Sequence, residues 1–182
     1  MRRKSFEAMQ CPIARTLERV GEWWSLLILR DAMQGVTRFD DFQKSLDIAS
    51  NMLARRLATL VEAGLLEKRL YSSRPRRFEY VLTDQGRDFR PILWSLAAWG
   101  NKHLAPEGPS LVIADAVTGA WADPVLVDRE SGRPLAAPAF VPVAGPAASE
   151  RIRARYGLFS AHRGAPLVPS GGGNGQPEHA AS

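Results

Sequence analysis

The sequence predicts a mostly α chain with a small β-hairpin (α+β), and three observations predict it. Apolar residues recur at helical spacing through four successive segments between residues 12 and 62. Two strand-like runs, Leu65–Tyr71 and Phe78–Leu82, follow at once, joined by the tip Ser72-Ser73-Arg74-Pro75-Arg76-Arg77. The helical segment before them is apolar on one face and basic on the other. A helix able to enter a major groove, beside a hairpin able to lie along phosphates, is the layout of a winged helix-turn-helix. Double-stranded DNA is the expected partner.

Cys11-Pro12 opens the first helix, because proline suits the first helical position, where its missing N–H costs nothing. Ile13, Leu17 and Val20 keep helical spacing, and Gly21 stops the run. The second helix, about Glu22 to Met33, is apolar nearly all round and should be buried at the centre. Phe39, Phe42 and Leu46 anchor a short third helix. After the turn Asp47-Ile48-Ala49, Ser50 is read as the N-cap of the fourth. There Leu53, Leu57, Leu60 and Val61 share one arc, Asn51, Met52 and Arg55 face outward, and Arg56 lies on a flank. The N-terminal turns of such a helix meet base edges. Arg55 suits guanine and Asn51 suits adenine, with Ser50 and Met52 beside them. Arg38, Arg56, Arg74, Arg76 and Arg77 are the expected phosphate ligands.

Thr83 is expected to cap one long helix running to Leu104, with the stripe Phe89, Ile92, Leu93, Leu96 and Trp99. This stripe is read as a homodimer interface; the alternative packs it back on the first two helices. Beyond Pro106 the composition changes. Leu111–Val117, Trp121–Val127 and Arg133–Val143 read as short strands and Ala147–Tyr156 as an amphipathic helix. Asp115–Gly119 and Asp128–Gly132 share the pattern Asp-x-x-Thr/Ser-Gly, spaced like the knuckles of a zinc ribbon but without a thiolate. They read as a metal-free ribbon or as two unrelated glycine turns. The expected organisation is an arm at 1–10, the winged helix-turn-helix and dimerisation domain at 11–104, a β-rich extension at 105–160 and a disordered tail at 161–182.

Charge agrees with this division. Residues 1–103 hold 18 Lys/Arg against 12 Asp/Glu, and residues 104–182 hold 6 against 7. The basic excess therefore lies wholly where the helix and hairpin are, which suits a polyanion or a merely solvated basic surface. No apolar run approaches the roughly 18–20 residues of a membrane span, and the basic start lacks an apolar stretch after it, so a cytoplasmic protein with no membrane partner is expected. One cysteine, Cys11, excludes an intrachain disulfide and a multi-cysteine metal site. His103, His162 and His179 sit in unrelated contexts, and no phosphate loop or nucleophile elbow is present. Neither an enzyme, a metal nor a cofactor is expected. A protein-interaction module is the competing reading, although such a module does not need a basic wing.

The order of these motifs resembles one family. Cys11-Pro12 with Ala14, then Gly21-Glu22-Trp23-Trp24-Ser25-Leu26-Leu27-Ile28-Leu29-Arg30, is similar to the Cys-Pro and Gly-Gly-Lys-Trp signature of HxlR-type transcriptional regulators. Arg38-Phe39-Asp40-Asp41-Phe42, the segment Ser50–Leu57 through Gly64-Leu65, and Tyr80-Val81-Leu82-Thr83 with Gly86 match further family segments. The resemblance covers about residues 11–103 and departs at Glu22-Trp23, where the family usually has Gly-Lys. It implies a dimeric winged-helix repressor or activator, paired through its long last helix with help from the first. In some members the Cys-Pro cysteine senses oxidants or electrophiles, and Cys11 holds that position. A thiol at the positive end of a helix suits such a role, with Arg15 and the basic start adding charge. The alternative is an inert small residue at the helix start. Some members carry a cysteine ribbon as an extension, and 115–132 looks like a metal-free version. A further alternative is a ligand-responsive regulator whose extension binds a small-molecule effector around Trp121 and the long last helix; the operator and the identity of such an effector are not legible.

Overall fold

The computed structural model describes residue 6 and residues 8–161, with the backbone alone for 158–161. Most of the expected tail and residues 1–5 and 7 of the expected arm lie outside the described residues. By internal contacts the chain divides into two units, Met1–Pro134 and Leu135–Ser182.

The first unit opens with α1 (Pro12–Val20), whose N-cap is Cys11 in extended backbone. The Gly21 N–H closes it on the Leu17 carbonyl at 2.8 Å. The second helix, α2 (Trp23–Met33), buries Ile28 and Leu29 completely. In α3 (Phe39–Leu46), Asp40 and Asp41 stand at the positive end of the helix while Phe42 and Leu46 turn inward. Asp47 ends α3 at φ 47°, a left-handed position that Asp tolerates better than most residues. Ile48 then drops into the core, and α4 (Ser50–Glu62) begins. Leu53, Leu57 and Leu60 are fully buried against Ile28, Leu29 and Phe42.

The expected cap at Ser50 needs correction. Ala49 holds the N-cap position, and no side chain caps the helix. Ser50 is the first helical residue, and its hydroxyl instead accepts a hydrogen bond from Gln43 Nε2 at 2.8 Å, which links α3 to α4.

Leu66–Ser73 (β1) and Arg76–Leu82 (β2) pair antiparallel, with an irregularity between Leu70 and Ser72. The ladder runs on to Ser73↔Arg76, so the hairpin is longer than expected and its tip shrinks to Arg74-Pro75. A bridge between Arg38 and Glu79, and the Tyr80 N–H donating to the Thr37 carbonyl at 2.7 Å, attach the start of α3 to the hairpin. At its exit, the Thr83 hydroxyl donates to the Gly64 carbonyl at 2.6 Å and accepts the Gly86 N–H at 3.0 Å. One residue thereby joins the end of α4 to the end of the wing.

The single long helix expected from Thr83 is two. Thr83 caps α5 (Asp84–Arg87), and α6 runs from Arg90 to Leu104. Pro91, at the start of α6, has no N–H to donate to the Arg87 carbonyl, and its ring would clash with that carbonyl in a continuous helix. Phe89, one of the five residues of the expected interface, is buried in the core of this unit, and Leu93, another, packs against that core.

Asn101 Nδ2 donates to the Leu111 carbonyl at 2.7 Å and fastens the start of the extension to α6. The expected three strands are far shorter: Ile113–Ala114 (β3) pairs with Trp121–Ala122 (β4), and Val127 bridges Pro134. These segments read as strands between turns, but most of their apolar side chains are exposed, so no core face selects a ladder. The two repeats form the same turn. Asp115 Oδ1 accepts the Val117 and Thr118 N–H groups and the Thr118 hydroxyl at 2.9, 2.7 and 3.0 Å. Asp128 Oδ2 accepts the Ser131 N–H and hydroxyl at 2.9 and 2.6 Å. Gly119 and Gly132 close them at φ 71° and 66°, where a side chain would be strained.

The second unit contains α7 (Glu150–Ala161), displaced toward the C-terminus relative to the expected Ala147–Tyr156.

Two expectations follow. A Cβ at Gly86 would lie 2.1 Å from the Leu65 carbonyl oxygen and 3.0 Å from a Leu82 methyl. Gly86→Ala should cost about 1–3 kcal/mol in urea unfolding; an unchanged midpoint would contradict this packing. Hydrogen bonds, first from the Thr118 N–H, hold the Asp115 carboxyl below its ordinary range, and the Ser131 hydroxyl leads the same effect at Asp128. A depressed folded value means the turns gain stability above the unfolded pKa of about 3.9 and lose it as pH falls through the lower folded value. In an NMR titration the Thr118 and Ser131 amide signals should hold to about pH 4 and move only below it; movement centred above that pH would refute the turns.

Candidate nucleic-acid interface

The buried leucines of α4 settle which way its other residues point. Asn51, Ala54, Arg55 and Ala58 are exposed, and Met52 is half-buried beside them. The Asn51 side-chain carbonyl accepts the Met52 N–H at 2.7 Å, which steadies the carboxamide at the first turn. Arg55 stands one turn further on, where the Thr59 hydroxyl donates to its backbone carbonyl at 3.0 Å. Ser50, at the same end, is exposed.

The hairpin presents cations on aromatic supports. Arg74, Arg76 and Arg77 are exposed at and next to its tip. The Arg76 guanidinium lies 5.2 Å from the Phe78 ring centre, and Lys68 Nζ lies 4.3 Å from the same ring. Arg38, at the N-cap of α3, sits 4.9 Å over the Tyr71 ring. Each such contact contributes about 0.5–1 kcal/mol at an exposed site and restricts a flexible cation. Lys68 and Arg69 were legible in the sequence as part of the acid-free basic run 68–77, whereas Tyr71 and Phe78 were overlooked as supports of this surface, although aromatic residues at neighbouring hairpin positions were a readable signal. Arg69 is less available, since it pairs with Glu67 at 2.9 Å, which also raises its pKa.

Residues 19–108 match the family model described as HxlR-like helix-turn-helix. Over 135 residues the chain is 42% identical to an uncharacterised HTH-type transcriptional regulator of Mycobacterium tuberculosis, covering 74% of this chain and 85% of that one. The chain belongs to the HxlR-like family. It is a helix-turn-helix transcriptional regulator that binds DNA, in a family of regulators rather than enzymes. A Pseudomonas aeruginosa structure described as a proposed transcription factor superposes with a TM-score of 0.60 at 53% identity, over 80% of this chain and 99% of that one. A second, described the same way, gives 0.67 at 39% identity, over 74% and 94%. The mixed α/β winged-helix fold is thus the family fold, and the likeness to the first structure reaches well past the family-model segment, into the extension. No helix among the described residues is long and apolar enough to cross a membrane.

Where the HxlR-like chain departs from the usual family pattern, the structure explains an arginine misread from the sequence. Arg56 is not on an open flank. Its side chain is 9% exposed, and its guanidinium contacts Glu22 Oε2 at 3.0 Å. Glu22, in place of the usual glycine, thus ties the N-terminus of α2 to α4, and Arg56 drops out of the expected phosphate ligands. Helical periodicity placed Arg56 at the margin of the buried arc, where only the presence of a counter-charge decides the direction. Among the described residues no cluster of His, Cys, Asp or Glu is arranged to hold a metal ion.

Glu22→Ala should destabilise the fold by about 2–3 kcal/mol, because it leaves a buried cation without that carboxylate, and Glu22→Ala with Arg56→Met should recover most of the loss. The check is urea unfolding of both variants; equal stability of Glu22→Ala and the parent would show that the pair carries nothing.

Proposed function

We propose that this chain is a dimeric, sequence-specific repressor that reads an inverted repeat with one α4 per half-site. The observation that carries the reading is the exposed pair Asn51 and Arg55 at the start of a helix whose opposite face is locked in the core. Arg55 pairs with guanine and Asn51 with adenine, while Ser50 and Met52 contact the adjoining backbone or bases. Arg38, Arg74, Arg76 and Arg77 hold phosphate and set the register.

Dimerisation is supported by apolar surface that this chain alone leaves open. Ile92, Leu96 and Trp99 remain exposed on α6, Trp99 by 56%. On α1, Ile13 is 71% exposed and Leu17 is also uncovered, although Val20 on the same stripe is buried. Ile92 lies next to α1, sharing a cleft with Arg15, Thr16 and Arg19. The interface proposed is therefore α1 with the outer arc of α6, without Phe89. Cys11 is a free, half-buried thiol at the start of α1, and this position supports a role in which its oxidation alters the proposed interface. Through its paired turns, the extension keeps the form of a zinc ribbon with Asp carboxylates in place of metal contacts.

The test is a salt series of duplex binding. Arg55→Ala should cost about 1–3 kcal/mol and relax preference at one base pair, whereas Arg76→Ala should weaken all sequences alike and lower the salt slope by about one. Parent-like binding by both variants would rule out this docking.

A further inference from the structure

A cleft of about 790 Å³ lies between α2, α6 and the strap at 111–114. Its volume falls within the range of roughly 300–1,000 Å³ typical of small-molecule sites. Leu27, Leu93 and the two indoles Trp23 and Trp94 give it apolar walls, and Arg30 and Arg90 supply the charge. No carboxylate lines it. Arg90 lies 6.0 Å over the Trp94 ring and makes no ion pair among the described residues. Arg30 is held by Asp31 at 2.8 Å while its side chain stays 41% exposed.

We propose that this cleft is a binding site for an aromatic carboxylate, with the rings between Trp23 and Trp94 and the acid on Arg90, assisted by Arg30. Flat rings stack on indoles, and a guanidinium takes a carboxylate by two parallel hydrogen bonds. A second copy of the chain is a poor occupant. Helix α6 carries no acidic residue to offer the arginines, and of the exposed α6 residues assigned to the dimer face Leu96 alone lines the cleft, Ile92 and Trp99 lying outside it. The Asn101–Leu111 hydrogen bond fastens the strap across one side, so the extension becomes a wall of the site. Since α2 packs on α4, a ligand that spreads α2 from α6 shifts the helix proposed to read DNA. That regulatory consequence rests on the DNA-reading proposal; the ligand site itself does not.

The experiment is a titration of the full chain with 1-naphthoate and with the neutral 1-naphthalenemethanol, followed by tryptophan fluorescence and calorimetry. Expected is one saturable naphthoate site per chain, about tenfold tighter than the alcohol, and a loss of about tenfold in Arg90→Met. Ala97→Trp, which fills the cleft, should abolish binding and leave the sedimentation behaviour of the parent; Trp23→Ala, at an exposed position, repeats the test where Ala97→Trp fails to fold. Equal affinity for acid and alcohol, absence of saturable binding, or a parent-like Arg90→Met would overturn the site. Dissociation of a dimer by Ala97→Trp would overturn it too, by assigning the cleft to a second copy. Duplex binding measured on the same samples separates the two proposals, because a chain that takes naphthoate but no duplex sinks only the DNA reading, and the converse sinks only the site.

Discussion

Packing of Leu53, Leu57 and Leu60 against Ile28, Leu29 and Phe42 is the constraint on which the rest of the first unit depends. These side chains are fully buried, so α4 has one rotational setting and cannot roll without exposing them. With that face fixed, Asn51 and Arg55 have only solvent to face. The same packing places Gly64 and Leu65 where Thr83 can bond to them, and the wing leaves the end of α4 at a set angle. The proposed recognition surface, made of flexible polar side chains, is in this way positioned by rigid apolar ones.

Charge does a second, more local job. Arg56 and Glu22 bridge α2 and α4 through the inside of the unit, while the cations meant for phosphate are held from outside by Tyr71 and Phe78. An arginine next to a carboxylate in a closed setting is a structural tie; an arginine over an exposed ring stays available to an anion. The same residue type thus serves folding at 56 and the proposed DNA-facing surface at 38 and 76, and its neighbours decide which.

Most of the DNA-binding fold was readable from period and punctuation. Pro12, Gly21, Gly64 and Thr83 mark element ends for reasons internal to the backbone, and the leucine spacing of α4 announces its buried face. What escaped reading depends on contacts between elements. Ser50 was expected to cap its own helix but bonds Gln43 across the turn, a choice no local rule sees. The continuous stripe from Phe89 to Trp99 concealed the break at Pro91, and with it the inward turn of Phe89. In the extension, apolar runs between turns imitated strands where no packed face exists to hold them. The repeated Asp-x-x-Thr/Ser-Gly turns, by contrast, were legible because their hydrogen bonds are local.

The central claim is that α4 reads sequence and that two chains do so together. Selection of duplexes from a randomised pool by the purified full chain tests it most directly. The account predicts recovery of an inverted repeat with half-sites about one helical turn apart. Recovery of no common sequence, with retention that falls steeply as salt rises, would contradict it and leave the basic wing as a non-specific polyanion surface.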